Sequence, residues 1–381
     1  MRFLHTSDWH LGRIFYERSL VDDQRHVLQQ IIEIAAREKV DAVLIAGDIY
    51  DRAIPPPEAV RLLSWVLEEL SLRLRVPVMM ISGNHDSGPR LSFGATILSR
   101  QKLRIIGSLE GMLEPLRIED EFGIVDLFGI PYSDPAEVRI ASKNADLQGH
   151  EEALSWCVAQ LKPHIKNPSV ALAHAYVAGG TDSDSERPLS IGGKAMVAPE
   201  IFSPFVYTAM GHLHRQQKVG EGVHYCGSLL SYHFSEKDTP KSVTLVELGK
   251  ERKPVLSLVP LIPKRRLLVI SGSFDEIIAQ ARLNPNPNDY ILIRREYDRP
   301  RPDALAQLRQ QYENLVGIEV MAKNLKQEAE NEELGKSIRK GGNISELFAG
   351  FYKRMTEKDL SSVQSECVTR NLKEEENKGV L

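Results

Sequence analysis

Apolar and polar positions in the first part of the chain follow two alternating patterns. Apolar residues recur every three or four positions over 22–38 and again over 58–70, which predicts two amphipathic helices. Short apolar runs at 2–5, 42–46 and 77–81 predict buried strands before, between and after these helices. This β-α-β-α-β order predicts an α/β layered core with right-handed crossover connections.

The second predicted helix has a marked start and a marked buried face. Pro55, Pro56 and Pro57 precede Glu58, and proline fits the first helical turn while an acid suits its dipole. The side chains expected to face the core are Val60, Leu63, Val66, Leu67 and Leu70.

Later apolar runs predict a second sheet. Between 103 and 130 the segments LRIIG, LRIED and IVDLFGI each suggest a strand of that sheet. The runs 170–173 and 206–210 are typical of buried strands, and 224–225 and 243–248 are expected to continue the second sheet. Segment 179–193 is rich in Gly, Ser and Asp, which predicts a mobile loop.

The same patterns divide the chain into four predicted segments. Residues 1–260 form the first domain, and 264–325 alternate strand and helix patterns as a small α+β domain. The polar stretch 326–342 is a predicted linker. Residues 343–381 form a C-terminal helical segment, whose apolar positions at helical spacing are Leu347, Phe348, Phe351, Tyr352 and Met355.

Composition narrows the class of protein only slightly. The 381 residues carry a formal net charge of −4, although 250–301 hold eleven Lys or Arg against six Asp or Glu. Net charge therefore neither supports nor excludes nucleic-acid binding. Cys157, Cys226 and Cys367 lack CxxC spacing, which indicates neither a disulfide framework nor a thiolate zinc site. Since there is no signal-peptide pattern and no apolar run that could span a membrane, we expect a cytoplasmic protein.

Five of the predicted strands end in side chains that can bind metal. Parallel strands bring their carboxyl ends to one edge of a sheet, so these residues can converge on one pocket. The clusters contain Asp8, His10, Asp48, Asn84, His85, His174, His212 and His214. Singly, each has an ordinary interpretation, because a lone histidine is most often a satisfied polar residue and Gly-Asp is a common turn. Their joint occurrence in this order favours a metal site.

The donor types indicate which metals would fit. Carboxylate and amide oxygens mixed with imidazole nitrogen, without thiolate, suit Mn²⁺, Fe²⁺ or Zn²⁺ better than Ca²⁺. Seven candidate ligands are too many for one ion and fit two ions ~3.5–4 Å apart that share a carboxylate. Asp48 stands alone between the clusters and is the expected bridge. The seven are Asp8, His10, Asp48, Asn84, His174, His212 and His214.

Other polar residues leave alternatives open. Asp86 could orient one of the histidines or simply form a turn. The basic run 264–266 fits a DNA contact and a solvated strand edge equally well, and the sequence does not decide the role of His233. The histidines expected to be structural or solvated are His5, His26, His150, His164 and His224.

The order Asp-x-His, Gly-Asp, Gly-Asn-His-Asp, His, Gly-His-x-His resembles the calcineurin-like metallophosphoesterases over residues 1–250. The segments LHTSDWHLGR, GDIYDR, GNHDS and MGHLHR resemble more closely the bacterial branch that processes DNA breaks. The resemblance implies an α/β fold with a double-sheet sandwich flanked by helices, and a capping domain at 264–325. It also implies that the C-terminal segment ISELFAGFYKRMTEKDL binds a partner.

The resemblance further implies roles for individual residues. One ion would be held by Asp8, His10, Asp48 and His214, and the other by Asp48, Asn84, His174 and His212. His85 would not ligate metal but would face the scissile phosphate as the catalytic group. Archaeal and eukaryotic relatives usually carry a histidine where this chain has Asp51. That departure puts in doubt any substrate-positioning role inferred from them at Asp51.

The implied activity is a Mn²⁺-dependent nuclease. It would act as an exonuclease on double-stranded DNA ends and as an endonuclease on single strands or hairpins, in repair and recombination. The chain has no GxxxxGK[ST] phosphate loop, so ATP use is expected from an SbcC-type ATPase bound through residues 343–360. That segment could instead pack on its own domain. The implied assembly is a homodimer within a heterotetramer.

Two other functions remain open from the sequence. The chain could be another phosphoesterase of the same family, acting on phosphoproteins or small phosphodiesters. It could also be a non-catalytic scaffold of the same fold, although such a protein would have lost metal ligands and none of the seven is missing.

Overall fold

The computed structural model describes residues 1–186, 196–281, 287–296, 303–321, 348–350, 352–353 and 359–377. Within them the strands are, in chain order, β1 (Arg2–Thr6), β2 (Ile14–Phe15), β3 (Arg18–Ser19), β4 (Ala42–Ala46), β5 (Val78–Ile81), β6 (Leu103–Ile106), β7 (Leu116–Asp120), β8 (Gly123–Ile130), β9 (Ser169–His174), β10 (Tyr176–Val177), β11 (Met196–Val197), β12 (Tyr207–Gly211), β13 (Gln217–Gly220), β14 (Val223–Tyr225), β15 (Ser242–Leu248), β16 (Pro254–Pro260), β17 (Leu267–Gly272), β18 (Tyr290–Glu296) and β19 (Leu315–Met321). The α-helices are α1 (Val21–Glu38), α2 (Pro57–Leu67), α3 (Gly88–Leu91), α4 (Ala95–Leu98), α5 (Pro135–Ser142), α6 (His150–Leu161), α7 (Phe274–Ala281), α8 (Ala304–Gln311) and α9 (Ser362–Asn377).

The first large sheet has the strand order β16-β15-β1-β4-β5-β6. Strands β1, β4, β5 and β6 are parallel, and β15 and β16 are antiparallel to their neighbours. The assignment of 103–106 and 243–248 to the second sheet is therefore wrong, because both strands belong here. A short apolar run shows that a strand is buried but does not specify which strand it pairs with.

The second large sheet has the order β13-β14-β12-β9-β8-β7. Its central strands β14, β12, β9 and β8 run parallel, while β13 and β7 pair antiparallel at the edges. The predicted strands at 170–173 and 206–210 lie side by side in its centre as β9 and β12. Their carboxyl ends therefore lie next to each other.

The main core contains side chains from both large sheets. Ala42 and Leu44 of β4 pack in one cluster with Val170 and Leu172 of β9. Val43 and Ile45, on the opposite face of β4, pack in a second cluster with residues of α1 and α2. This alternation follows from the two-residue repeat of a strand, and it produces the predicted layered α/β fold.

Helix α2 begins at Pro57, as its prolines predict, but its buried face differs from the prediction. Val60 is 45% exposed, whereas Ala59, Leu62, Leu63 and Val66 are buried. The prediction that Val60 faces the core is therefore wrong. Both faces of this helix are apolar enough that periodicity alone could not separate them, and Val60 instead lines an apolar groove.

The described chain divides into two compact units by its internal contacts. One consists of Met1–Val269, Asn284–Leu292 and Tyr312–Gly317, and the other of Ile270–Leu283, Ile293–Gln311 and Ile318–Leu381. Strands β17, β18 and β19 form a three-stranded sheet in that order. The four-segment division of the chain stays a prediction.

Two predicted segments lie wholly or mostly outside the described residues. They are the linker 326–342 and the helix expected around 344–355. Within the described residues, none of the helices combines the length and the apolar character that spanning a membrane requires.

His5 of β1 is a structural histidine inside the first unit. Its side chain is fully buried, with Nδ1 2.9 Å from the Tyr207 hydroxyl and Nε2 3.1 Å from the Met210 carbonyl oxygen. Burial lowers the pKa of His5 from 6.5 to about 3. The folded protein therefore keeps this imidazole neutral where the unfolded chain protonates it.

This difference predicts a loss of stability in mild acid. Between pH 6.5 and about 3 the unfolded chain binds a proton at His5 that the folded chain does not, so each pH unit of acidification costs about 1.4 kcal/mol of folding free energy. Urea unfolding of the metal-free protein from pH 7.5 to 5 should show a weaker pH slope in His5→Gln than in wild type. The exposed control His26→Gln should keep the wild-type slope. An unchanged slope in His5→Gln would contradict the assignment.

Candidate metal centre

The carboxyl ends of five strands meet in one place. The loops after β1 and β4 are joined by two backbone hydrogen bonds. Asp8 N–H donates to the Gly47 carbonyl oxygen (3.1 Å), and His10 N–H donates to the Asp48 carbonyl oxygen (2.9 Å). Strand β5 contributes the following Asn84 and His85. From the second sheet, β9 ends at His174 and β12 is followed by His212 and His214.

Asp48 lies at the centre of this group. Its side chain is 2% exposed, and its Oδ1 accepts a 2.9 Å hydrogen bond from the backbone N–H of His85. Its Oδ2 lies 3.6 Å from His10 Nε2, 3.5 Å from His174 Nε2 and 3.9 Å from His85 Nε2. One buried carboxylate oxygen thus faces three imidazole nitrogens.

The backbone bends sharply at several of these residues. Asp8, His10, Asp48 and His212 all have positive φ, with values of 52°, 45°, 49° and 108°. Residues other than glycine rarely adopt this conformation, and it concentrates at functional sites. A Cβ on Gly83 would overlap the Asp48 carboxylate, so the loop after β5 requires glycine there.

His174 and Asn84 lie on one side of Asp48. His174 donates from Nδ1 to the Ala46 carbonyl oxygen (2.9 Å), and its Nε2 lies 3.0 Å from Asn84 Oδ1. The His212 ring centre is 5.4 Å from that of His174. All three predicted residues therefore lie close together, next to Asp48.

His10, His214 and Asp8 lie together as well. The Nε2 atoms of His10 and His214 are 3.1 Å apart. Asp8 Oδ1 accepts from the backbone N–H of His212 (2.9 Å), and its Oδ2 accepts from Ser7 Oγ (2.5 Å). Two imidazole nitrogens so close repel each other unless a proton or a cation lies between their lone pairs.

Burial and charge shift the protonation of these groups. Burial raises the pKa of Asp8 to about 6 and lowers the pKa of His212 to about 3. Burial would also lower the pKa of His174, but the adjacent Asp48 carboxylate raises it to about 9. The neighbouring histidines in turn outweigh burial at Asp48 and hold its pKa well below the ordinary value. His174 and Asp48 therefore form a charged pair.

These residues suit divalent metal ions. Asp8 and Asp48 are both buried carboxylates, and in the described part of the chain the ion pairs of Asp48 are all with histidines. Buried carboxylates of this kind are paired or coordinate metal. Three triads have ligand atoms within 4.8 Å of one another: Asp8-His10-His214, Asp8-Asp48-His174 and His10-Asp51-His85.

His85 is oriented by its backbone partner. Its Nδ1 lies 2.8 Å from the Asp51 carbonyl oxygen, which can only accept, so Nδ1 carries the proton and Nε2 faces Asp48. The Asp51 carboxylate itself pairs with Arg13 Nη1 at 3.3 Å. Asp51 thus contributes both a backbone and a side-chain contact at this edge.

The two alternatives for Asp86 are decided by its contacts. Its carboxylate accepts backbone hydrogen bonds from Ile49 (3.0 Å), Tyr50 (2.9 Å) and Gly83 (2.9 Å). These bonds brace the turn after β4 against the turn after β5. Asp86 therefore has the turn-forming role.

Comparison with known proteins identifies the family. Residues 1–172 match the family described as "Calcineurin-like phosphoesterase", and residues 263–356 match the one described as "Type 5 capsule protein repressor C-terminal domain". The SbcD component of the SbcCD nuclease from Staphylococcus epidermidis (strain ATCC 12228 / FDA PCI 1200) is 32% identical over 371 residues, which cover 97% of each chain. The chain belongs to the SbcD family. Its membership confirms the resemblance and the predicted fold class.

Two solved structures show weaker likeness. The protein TT1561 of Thermus thermophilus is 14% identical with a TM-score of 0.40, covering 68% of this chain and 98% of the other. A dimetal phosphatase from Danio rerio is 15% identical with a TM-score of 0.40, covering 69% of this chain and 97% of the other. At these values neither likeness supports an inference about function.

The site of this SbcD-family chain includes polar residues that the sequence patterns do not reveal. Ser183, Ser185 and Glu186 come from the loop predicted to be mobile, and Glu236 and Lys241 come from a segment without a motif. Glu186 Oε1 accepts from the backbone N–H of His214 (2.7 Å), and Lys241 Nζ donates to the His214 carbonyl oxygen (2.9 Å). Ser185, Glu186, Glu236 and Lys241 contact His214 directly, and Ser183 contacts Ser185, Glu186 and Glu236. Only these contacts show their importance, because serine and glutamate in a polar loop are common.

Three polar residues whose roles the sequence leaves open have contacts within the chain: Arg265, Arg266 and His233. Arg265 pairs with Asp23, and Arg266 pairs with Asp289 at 2.8 Å, so two of the three basic residues at 264–266 already have acidic partners within the chain. His233 Nδ1 accepts from Ser235 N (3.2 Å) and caps a short 3₁₀ turn. All three cysteines are free thiols.

Proposed function

We propose that this SbcD-family chain cleaves DNA with two divalent metal ions, most consistently Mn²⁺, held at the strand ends around Asp48. A member of this family is a hydrolase acting on phosphodiester bonds. The observation that carries the two-metal proposal is the position of Asp48 Oδ2, within 3.9 Å of three imidazole nitrogens. A single carboxylate in contact with two groups of ligands suits a bridge between two ions.

The ligands divide into two groups around that bridge. We assign Asp8, His10 and His214 with Asp48 to one ion, and Asn84, His174 and His212 with Asp48 to the other. The close approach of His10 to His214, and of His174 to Asn84, supports this division. Mixed oxygen and imidazole ligands suit Mn²⁺.

His85 is the proposed catalytic group. When bound, the two ions would supply polarisation of a phosphate oxygen and a water whose pKa is lowered toward neutrality. Because the Nδ1 proton of His85 is held by the Asp51 carbonyl oxygen, Nε2 is the atom that can meet the substrate. A protonated Nε2 would stabilise charge on the phosphate and donate its proton to the leaving oxygen.

DNA is the proposed substrate, and the relationship to the S. epidermidis protein supports it, since that protein is named as part of a nuclease. We propose exonuclease activity on double-stranded ends and endonuclease activity on single strands and hairpins. The rival is a phosphoesterase of the same family that hydrolyses small or protein-borne phosphate esters. The two differ in whether DNA or a generic ester is the better substrate.

An SbcC-type ATPase is the proposed partner. The relative's name places it in an SbcCD complex, and the C-terminal family match extends to residue 356. We propose that residues 343–360 bind the coiled-coil base of the ATPase, that 326–342 act as a linker and that 264–325 form the capping domain. The complex would act in the cytoplasm.

A homodimer within a heterotetramer is the proposed assembly. An apolar groove of about 660 Å³ lies beside α2, α3 and α4. Large apolar side chains in and around it are exposed, notably Phe93 at 89%, Ile97 at 76% and Ile54 at 68%. An exposed apolar patch of this kind marks an interaction surface, which a second copy of the chain would cover.

Replacing the proposed catalytic histidine tests the mechanism. His85→Ala should retain wild-type metal content, because His85 is outside the proposed ligand set. It should lose about 10²–10⁴-fold in rate, which is the contribution of a positioned proton donor. The nuclease rate is measured on hairpin and linear duplex DNA with Mn²⁺, and the metal content is measured by mass spectrometry. The exposed control His26→Ala should keep both values.

Two results would contradict the proposal. A full nuclease rate in His85→Ala would remove the catalytic role of His85. Wild-type protein that hydrolyses a generic phosphate ester but neither DNA substrate, with or without an SbcC-type ATPase and ATP, would favour the rival phosphoesterase.

Truncation tests the partner surface. A chain ending at residue 342 should fail to bind an SbcC-type ATPase, because the apolar positions of 343–360 are removed, yet it should still cut single-stranded DNA with Mn²⁺. The matched control ends at residue 360 and loses only the region containing α9 (Ser362–Asn377). It should bind the ATPase normally in a pull-down assay. Binding by the shorter chain, or loss of both properties in it, would contradict this division of roles.

A further inference from the structure

A series of buried side chains in contact, which we call the His214 relay, extends from the ring of His214 through Ser185 and Glu236 to Lys241. His214 Nδ1 contacts Ser185 Oγ, and Ser185 Oγ contacts Glu236 Oε1. The other carboxylate oxygen, Glu236 Oε2, accepts from Lys241 Nζ at 2.6 Å. Ser185, Glu236 and Lys241 are all at most 8% exposed. The relay therefore runs through the interior, away from bulk water.

Each link of this relay has a defined direction. Lysine can only donate and an ionised glutamate can only accept, so Glu236 accepts at both oxygens. Ser185 has one proton, which it gives to Glu236, and its oxygen is left to accept from His214. The imidazole must then carry its proton on Nδ1. Its Nε2 keeps a lone pair on the side where His10 Nε2 lies 3.1 Å away.

We infer that Glu236 and Ser185 are positioning residues that hold His214 in the Nδ1–H tautomer, so that Nε2 is free to bind a metal ion. This rests on the proposed assignment of His214 as a ligand. Metal-bound histidines generally donate their second nitrogen to a fixed acceptor, which sets both tautomer and ring orientation. Here the acceptor is a serine hydroxyl oriented by a buried ion pair.

Two other histidines of the candidate centre are held differently. His174 and His85 each place Nδ1 on a backbone carbonyl oxygen, of Ala46 and Asp51 respectively. A carbonyl oxygen cannot reverse its polarity, and no side-chain substitution removes it. The His214 relay is built from side chains, so substitution can reverse the tautomer.

The loop at 183–186 is fastened to the same relay. Ser183 Oγ lies 2.9 Å from Glu236 Oε1 and 2.6 Å from Glu186 Oε2. Glu186 Oε1 in turn accepts from the backbone N–H of His214 at 2.7 Å. Glu236 thus fixes both the imidazole and the loop that supplies Ser185.

Glu236→Gln is the principal test because glutamine has nearly the same shape as glutamate but replaces one hydrogen-bond acceptor with a donor, which reverses the direction of the bond to Ser185. Lys241 still requires an acceptor, so the glutamine oxygen should face Lys241 and its amide N–H should face Ser185. Ser185 would then donate to His214 Nδ1, and the imidazole proton would move to Nε2. The metal-free protein, labelled with ¹⁵N-histidine, should show the Nδ1–H tautomer of His214 by NMR in wild type and the Nε2–H tautomer in the variant.

Metal affinity is the second measurement. Titration of Mn²⁺ alone into the metal-free proteins should show the site containing His214 weakened by about 10–100-fold in Glu236→Gln. Ser185→Ala, which removes a single hydroxyl, should give a similar loss, and Ser185→Thr should restore affinity because it keeps the hydroxyl. The matched control is Ser231→Ala, since within the described part of the chain Ser231 Oγ donates to the backbone oxygen of Glu236 (3.1 Å) and not to its carboxylate. It should leave the tautomer and the affinity unchanged.

The outcomes separate this inference from the proposed function. An Nε2–H tautomer in wild type, or the same tautomer in wild type, Glu236→Gln and Ser185→Ala, would overturn the inference. If Glu236→Gln failed to fold by circular dichroism, Ser185→Ala and Ser185→Thr would still decide it. A reversed tautomer with unchanged Mn²⁺ affinity would support the relay but remove His214 from the ligand set.

Discussion

The buried carboxylate of Asp48 is the group on which the rest of the candidate metal centre depends. A carboxylate with 2% of its side chain exposed needs opposite charge close by. Histidines meet this need from the ends of three strands, because Oδ2 faces the imidazoles of His10 after β1, His85 after β5 and His174 at the end of β9. In the metal-free protein the protonated imidazole of His174 supplies this positive charge, because the Asp48 carboxylate raises the pKa of His174 to about 9. Divalent ions bound at the same place would supply more, and would require His174 to lose that proton.

The fold explains how residues so distant along the chain reach one carboxylate. Strands β1, β4 and β5 run parallel in one sheet, and β9 and β12 run parallel in the other. Residues from both sheets share one hydrophobic cluster. The loops at the strand ends are bonded backbone to backbone, as between His10 and Asp48. The Asp86 carboxylate braces two of the turns. The positions of the proposed ligands are therefore set mainly by hydrogen bonds that involve the backbone of these loops.

Sequence alone predicts those parts of this arrangement that depend on local pattern. Asp8, Asp48, Asn84, His174 and His212 can be recognised because each follows or ends an apolar run, and parallel strands bring such ends together. Strand partners cannot be read in the same way. The strand at 243–248 is as apolar as a strand of the second sheet, yet it pairs with β1. Val60 shows the same limit for helices, since its spacing fits the buried face while its side chain lines an exposed groove. The roles of Ser185 and Glu236 cannot be predicted from local pattern at all, because their importance comes only from three-dimensional contacts with His214.

The stoichiometry of metal binding tests the central claim most directly. Titration of Mn²⁺ into the metal-free wild-type chain, followed by calorimetry and by metal analysis after gel filtration, should give two ions per chain. Asp48→Ala should bind at most one ion at the same concentrations, because both proposed groups of ligands lose their shared member. Two ions retained by Asp48→Ala, or a single ion bound by wild type, would contradict the account.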